Sequence, residues 1–250
     1  MAIIDMKRGD SYIVRAYRGE DLIFERGEPY IASIGDALTG SGSYIYIDDL
    51  ELMSGYTYEV DFIAPDTYPQ AGGNPHCCII GGSYEKFHNS IYDTDVYRGM
   101  FFGFPYSTFA NLGLGIRYTD FARNDGTAPK VQVPYTVGIR QTVSISYTNP
   151  DVQTLTDGGF YLFAARAYDL DNEWAPADGQ IHNEHTRRLY GINGVPSFGK
   201  YFRITIKDAN NDILKNFLPK IVGGHKGMID TVSNSFYQAA NDDMFEIGLG

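Results

Sequence analysis

An all-β fold is what this sequence predicts, and three observations predict it. The chain of 250 residues carries 20 Tyr, 15 Phe and 28 Gly, a mixture that favours pleated strands joined by tight turns. Its apolar residues fall in roughly ten short runs, several with strict alternation, bounded by Gly, Pro, Asn and Asp. No run keeps a helical period or a sustained apolar heptad, so neither a long helix nor a coiled-coil stalk is expected. Many short strands at turn-separated intervals are the pattern of a two-sheet sandwich.

The totals narrow the classes. A chain of 250 residues can bury a proper core without disulfide or metal staples, so folding should need no cofactor. The net charge of -11, without clustered Lys and Arg, argues against nucleic acid or an anionic membrane as partner. The start, Met1 to Lys7, lacks the apolar core and cleavage site of a signal peptide. No apolar run approaches the ~20 residues of a membrane helix. Synthesis in a cytoplasm without export by that route is the expectation. Cys77 and Cys78 are adjacent, where a mutual bridge would be strained, and read as free thiols.

Taken in order, residues 1–29 form a separate piece. Tyr12 to Tyr17 and Leu22 to Glu25 are strand patterns flanking Arg18-Gly19-Glu20-Asp21, a hairpin signal. A lone hairpin is marginal in water, so it should pair with another subunit, a neighbouring protein or the main domain. Arg8-Gly9-Asp10 spells an integrin-type tripeptide, but nothing else points to cell adhesion. Pro29 to Gly42 reads as a linker or turn region marked by Gly35, Gly40 and Gly42. Tyr44 to Ile47 and Tyr56 to Phe62 are strands, the second with Tyr56, Tyr58, Val60 and Phe62 inward and Thr57, Glu59 and Asp61 outward. Cys77 to Gly82, Met100 to Phe104, Leu114 to Tyr118, Gly138 to Tyr147 and Phe160 to Ala165 continue the series, with Asn124-Asp125-Gly126 as a turn. Asp169 to Gly194 is a long loop.

The last fifty residues are the most patterned. Phe202, Ile204 and Ile206 alternate with Arg203, Thr205 and Lys207; Ala209 to Asp212 turn; an apolar segment from Ile213 closes at Pro219. Gly227 to Val232, Phe236-Tyr237 and Met244 to Gly248 are further strands. As a block, Asn211-Asp212-Ile213-Leu214, Phe217-Leu218-Pro219, Gly227-Met228-Ile229-Asp230, Phe236-Tyr237 and Phe245-Glu246-Ile247-Gly248 resemble the ending of many bacteriophage and prophage structural proteins with a concanavalin-A-like (laminin-G-like) jelly-roll domain. Asn241-Asp242-Asp243 stands where that family usually has Gly-Thr-Gly. The resemblance covers about residues 44–250, and residues 1–29 look like the short N-terminal attachment module of phage fibre and tail-associated proteins.

Candidate chemistry is sparse. Some enzymes with this sandwich cleave glycans through Glu-x-Asp-x-x-Glu on one strand; Glu59-Val60-Asp61 begins that motif, but Ala64 stands where the second Glu is needed. His76, Cys77, Cys78 and His88 lack metal-ligand spacing, and His182 and His185 sit in a polar loop with no further ligand pattern. Asp169, Asp171 and Glu173 alternate as calcium ligands do, without an EF-hand's Gly or terminal Glu. The only tryptophan, Trp174, shares this loop with Tyr168 and Tyr190, and exposed aromatic faces are how proteins grip sugar rings. The plainer alternative has Trp174 plugging the loop onto the sandwich.

The resemblance therefore implies a non-enzymatic virion structural protein of a head fibre, tail fibre or similar appendage. Residues 1–29 would be an attachment segment meeting other virion proteins, and 30–250 a concanavalin-A-like β-sandwich. It implies a homo-oligomer, a trimer before a dimer, with host-surface glycan as a candidate ligand. No cofactor, metal, nucleic acid or membrane insertion is expected. A glycan-cleaving enzyme and a stand-alone bacterial lectin are the alternatives.

Overall fold

The computed structural model describes residues 6–8, 11–13, 16–18, 21–24, 27–34, 43–50, 55–64, 77–89, 94–104, 111–115, 131–146, 160–164 and 199–250. Among them there are strands and one 3-10 turn but no α-helix. In chain order the strands are β1 (Met6–Arg8), β2 (Ser11–Ile13), β3 (Ala16–Arg18), β4 (Asp21–Phe24), β5 (Pro29–Ser33), β6 (Ile45–Ile47), β7 (Thr57–Ile63), β8 (Cys77–Asn89) and β9 (Thr94–Phe104). There follow β10 (Asn111–Gly115), β11 (Val131–Pro134), β12 (Arg140–Ser146), β13 (Phe160–Leu162), β14 (Lys200–Lys207), β15 (Ile213–Val222), β16 (His225–Asp230), β17 (Ser235–Gln238) and β18 (Phe245–Leu249).

Two antiparallel sheets make the body. One runs β11-β10-β9-β8-β13-β6; the other runs β12-β7-β14-β15-β16-β17, with β5 pairing both β14 and β18. Alternation explains which side of the second sheet is buried. Tyr58, Val60 and Phe62 of β7 stand beside Val143 and Ile145 of β12 and Ile204 and Ile206 of β14, all in the core. They meet Ile45, Ile47, Ile79, Ile80, Phe102, Phe160 and Leu162 from the other sheet in one apolar cluster. Each such side chain, fully buried, stabilises by about 1.5–3 kcal/mol. Aromatic rings lock the centre: Phe62 stacks on Tyr201 at 6.2 Å, and Phe163 meets Tyr201 at 5.3 Å and Phe245 at 5.4 Å. The sheets are also tied by backbone at one edge, where Ile45 bridges Ala239 and the Ala240 N–H donates to the Tyr44 carbonyl at 2.9 Å.

Several expectations change. The expected linker begins with a strand: Pro29–Ser33 is β5, and because Tyr30, Ile31 and Ser33 are all buried it carries no alternation to read. Gly35, Gly40 and Gly42 lie outside the described residues. The strands at Cys77 and Met100 are parts of a longer hairpin, 13 and 11 residues in β8 and β9, and β11 was not expected at all. The strand expected to close at Pro219 continues to Val222. Pro219 falls beyond the last β14 pair, Ile204 with Phe217, so β15 is flanked there in these registers by β16 alone, where a strand tolerates the missing N–H. Finally, the expected strand from Tyr12 to Tyr17 is divided: Ser11–Ile13 pairs with β1, and Ala16–Arg18 with β4. In the second of these two-stranded sheets Arg18 pairs with Asp21, the two residues that flank the expected turn, while Gly19 and Glu20 lie outside the described residues.

Candidate functional site

The residues expected to hold sugar, Trp174, Tyr168 and Tyr190, lie outside the described residues, as do Asp169, Asp171, Glu173, His76, His182 and His185. Cys77 and His88 stand in β8, where only their backbone is described. Cys78 is buried, its Sγ 3.2 Å from the Ile80 carbonyl and 3.5 Å from that of Ala164. No group of three or more His, Cys, Asp or Glu able to hold a metal occurs among the described residues. No helix among them is long and apolar enough to cross a membrane.

What the fold does bring together is a polar cluster inside the sandwich edge. Register puts Lys215 of β15 opposite Ile206, and Phe217 opposite Ile204, so Lys215 occupies a core-facing position and is only 5% exposed. A buried ammonium must be paired. Its Nζ donates to Asp49 Oδ2 at 2.6 Å and to the Tyr237 hydroxyl at 2.9 Å, and lies 3.3 Å from Asp230 Oδ2. Asp49, in the turn after β6, also accepts from the Tyr237 hydroxyl. One acid from the six-stranded sheet's edge thereby clamps a lysine and a tyrosine of the opposite sheet.

Asp230, fully buried at the end of β16, organises the turn that follows. Its Oδ1 accepts the N–H groups of Asn216 at 2.9 Å and Val232 at 3.1 Å, and its Oδ2 accepts the Ser233 N–H at 3.2 Å and hydroxyl at 2.6 Å. Asn234 takes a left-handed conformation, φ 59°, that asparagine tolerates, and the chain returns as β17.

The charges follow from these contacts. Burial pulls the Lys215 ammonium toward neutrality, but the hydrogen bonds with Asp49 and Tyr237 outweigh it and hold its pKa above the usual lysine range. Burial pushes the Asp49 carboxyl up, and its bonds with Lys215 and Tyr237 bring it below its ordinary value. At Asp230, burial is likewise outweighed, by the Asn216 N–H, the Ser233 hydroxyl and the turn amides, and the carboxyl is lowered. Tyr237 is raised by burial and by its bond to Asp49. The cluster joins a buried ammonium and a buried carboxylate, Lys215 and Asp230, to a neutral Tyr237 and a half-exposed Asp49 carboxylate.

The two carboxylates of the incomplete glycan-cleaving motif are placed on the opposite, outer face. Glu59 pairs with Lys207 at 2.6 Å. Asp61 takes a two-pronged bond from Arg140, Nε to Oδ1 at 3.1 Å and Nη2 to Oδ2 at 2.7 Å, while the same Nη2 also donates to Glu28. The guanidinium lies 3.9 Å over the Phe202 ring and covers a second, smaller apolar patch. Hydrogen bonding to Asp61, against the pull of burial and with help from Glu28, holds Arg140 above the ordinary guanidinium range. At the β15–β16 tip, His225 Nδ1 lies 2.8 Å from Asp242 Oδ2 and 2.8 Å from Gln238 Nε2, and Asp242 Oδ1 accepts the Lys226 N–H at 2.9 Å. The His225 contact holds the Asp242 carboxyl low.

Sequence reasoning did not single out Asp49, Lys215 and Tyr237. The available signal was parity: Lys215 shares the inward side of its strand with Phe217. Searches against protein-family models, curated proteins and solved structures found no match to this chain.

Proposed function

We propose that this chain is a non-enzymatic structural component of a bacteriophage particle, a fibre or comparable surface appendage, built on a concanavalin-A-like jelly roll. The observation that carries the reading is the closing block. The segments that resemble the phage family, from Tyr201 to Gly250, run as antiparallel strands β14, β15, β16 and β17 in sheet order, followed by β18 on β5. Glu28 and Gly250 exchange backbone hydrogen bonds of 3.2 and 3.1 Å, so the start of β5 is fixed beside the end of β18. On this reading residues 1–29 attach by strand addition at a subunit junction, with the copies arranged as a homotrimer.

The role of the sandwich is display. Trp174, Tyr168 and Tyr190 are its candidate sugar contacts, on the family resemblance and the chemistry of aromatic rings against pyranose faces. The pairing of Glu59 with Lys207 and of Asp61 with Arg140 weighs against the glycan-cleaving alternative, which needs a carboxyl pair facing a substrate. Incubation with bacterial surface polysaccharides tests the proposal. Reducing sugar should not be released, and any glycan captured on an array should be captured less well by Trp174→Ala. Sugar release that Glu59→Gln abolishes would replace this reading with the enzymatic one.

A further inference from the structure

We infer that Lys215 and Asp230 are the reactants of an intramolecular amide bond that this protein forms between its neighbouring strands β15 and β16. Three features of the cluster carry this, independently of any role in a virion. The amine and the carboxyl are both withdrawn from water, Lys215 at 5% and Asp230 at 0% exposure, and Nζ already lies 3.3 Å from Oδ2. A third acid, Asp49, holds the same Nζ at 2.6 Å and is the group placed to take protons from it. The two oxygens of Asp230 are also differently served. Oδ1 faces two backbone N–H groups, from Asn216 and Val232, which suits an oxygen that must carry negative charge. Oδ2 accepts the Ser233 N–H but also faces Lys215 and the Ser233 hydroxyl, the proton-bearing side chains that an oxygen leaving as water needs.

The reaction balances without any co-reactant. An ammonium and a carboxylate give an amide and one water. Asp49 takes a proton from Nζ, and the freed lone pair attacks Cγ of Asp230 to form the C–N bond. Charge collects on Oδ1 against its two N–H donors. The two protons that nitrogen gives up in total pass by way of Asp49 to Oδ2, the C–Oδ2 bond breaks, and water departs. The contacts that keep both partners charged oppose the first proton transfer, so the reaction is slow and depends on Asp49. Exclusion of solvent protects the product from hydrolysis.

The intact mass of the purified, folded chain tests the inference. The expected mass is the sequence sum less one water, and a tryptic digest should leave the chain uncut after Lys215 and yield one branched peptide joining the two strands. Asp230→Asn, which offers the same carbonyl with a different leaving group, should lose one ammonia instead. Lys215→Met should show its full sum, and Asp49→Asn should accumulate the linked form more slowly. A wild-type mass equal to the full sum, with Lys215 open to trypsin, overturns the proposal. So does a lost water that peptide mapping assigns elsewhere, and linkage at an undiminished rate in Asp49→Asn removes Asp49 from the mechanism.

Discussion

Lys215 and Phe217 stand two residues apart on the same side of one strand, and the fold treats them in opposite ways. Phe217 is completely buried and meets the Tyr237 ring edge-on at 5.7 Å, so it contributes through packing alone. Phe217→Ala should cost about 3–5 kcal/mol, read as a lowered urea midpoint at an unchanged slope. Lys215 reaches the same Tyr237 through its hydroxyl and needs Asp49 to be tolerated there. The folded-state pKa of Asp49 is lowered, so its contribution is fully present above the unfolded carboxylate value of about 3.9 and is lost as pH falls through the folded value. Asp49 is half exposed, which limits the effect: in chains whose Lys215 is still unlinked, Asp49→Asn should cost about 1 kcal/mol near neutral pH. That gap from wild type should close on acidification, as paired thermal melts across the acid range would show. A gap that stays constant would mean Asp49 acts through shape and not charge.

Strands whose two sides differ were legible in the sequence; of those buried on both sides, β13 was legible as a continuous apolar run and β5 was not. In β7 the order Tyr58, Val60, Phe62 against Thr57, Glu59, Asp61 gives direction and face together, and the structure buries the first set. In β5, Tyr30 and Ile31 are buried on opposite sides, and with Pro29 and Gly35 at its ends the segment resembles a turn. The clamp was illegible for another reason. Asp49 and Lys215 are 166 residues apart, and only the meeting of the two sheets along β6 and β17 joins them. That edge depends on one close approach. A Cβ at Gly227 would lie 2.1 Å from the Tyr237 carbonyl oxygen and 2.8 Å from the Phe236 ring, so β16 and β17 pair closely only with glycine there. Gly227→Ala should destabilise by about 1–3 kcal/mol through backbone displacement. It should also raise amide exchange in β17 ahead of β7. Equal exchange in both strands would show that the pairing does not rest on this glycine.

Among the described residues the body is two antiparallel sheets closed on a shared aromatic and aliphatic core, with a charged clamp at one edge. A second patch lies on the outer face, where Arg140 covers Phe202 and binds Glu28 and Asp61. The carboxylates of β7 pair with Lys207 and Arg140, and residues 28–33 and 245–250 are stitched side by side. On the proposed function, this body is a display unit repeated by symmetry as a homotrimer. The mass of the full chain in solution, by light scattering across a dilution series, tests that claim most directly. A particle of three chains that persists on dilution is the predicted result, and a single chain at every concentration would contradict it.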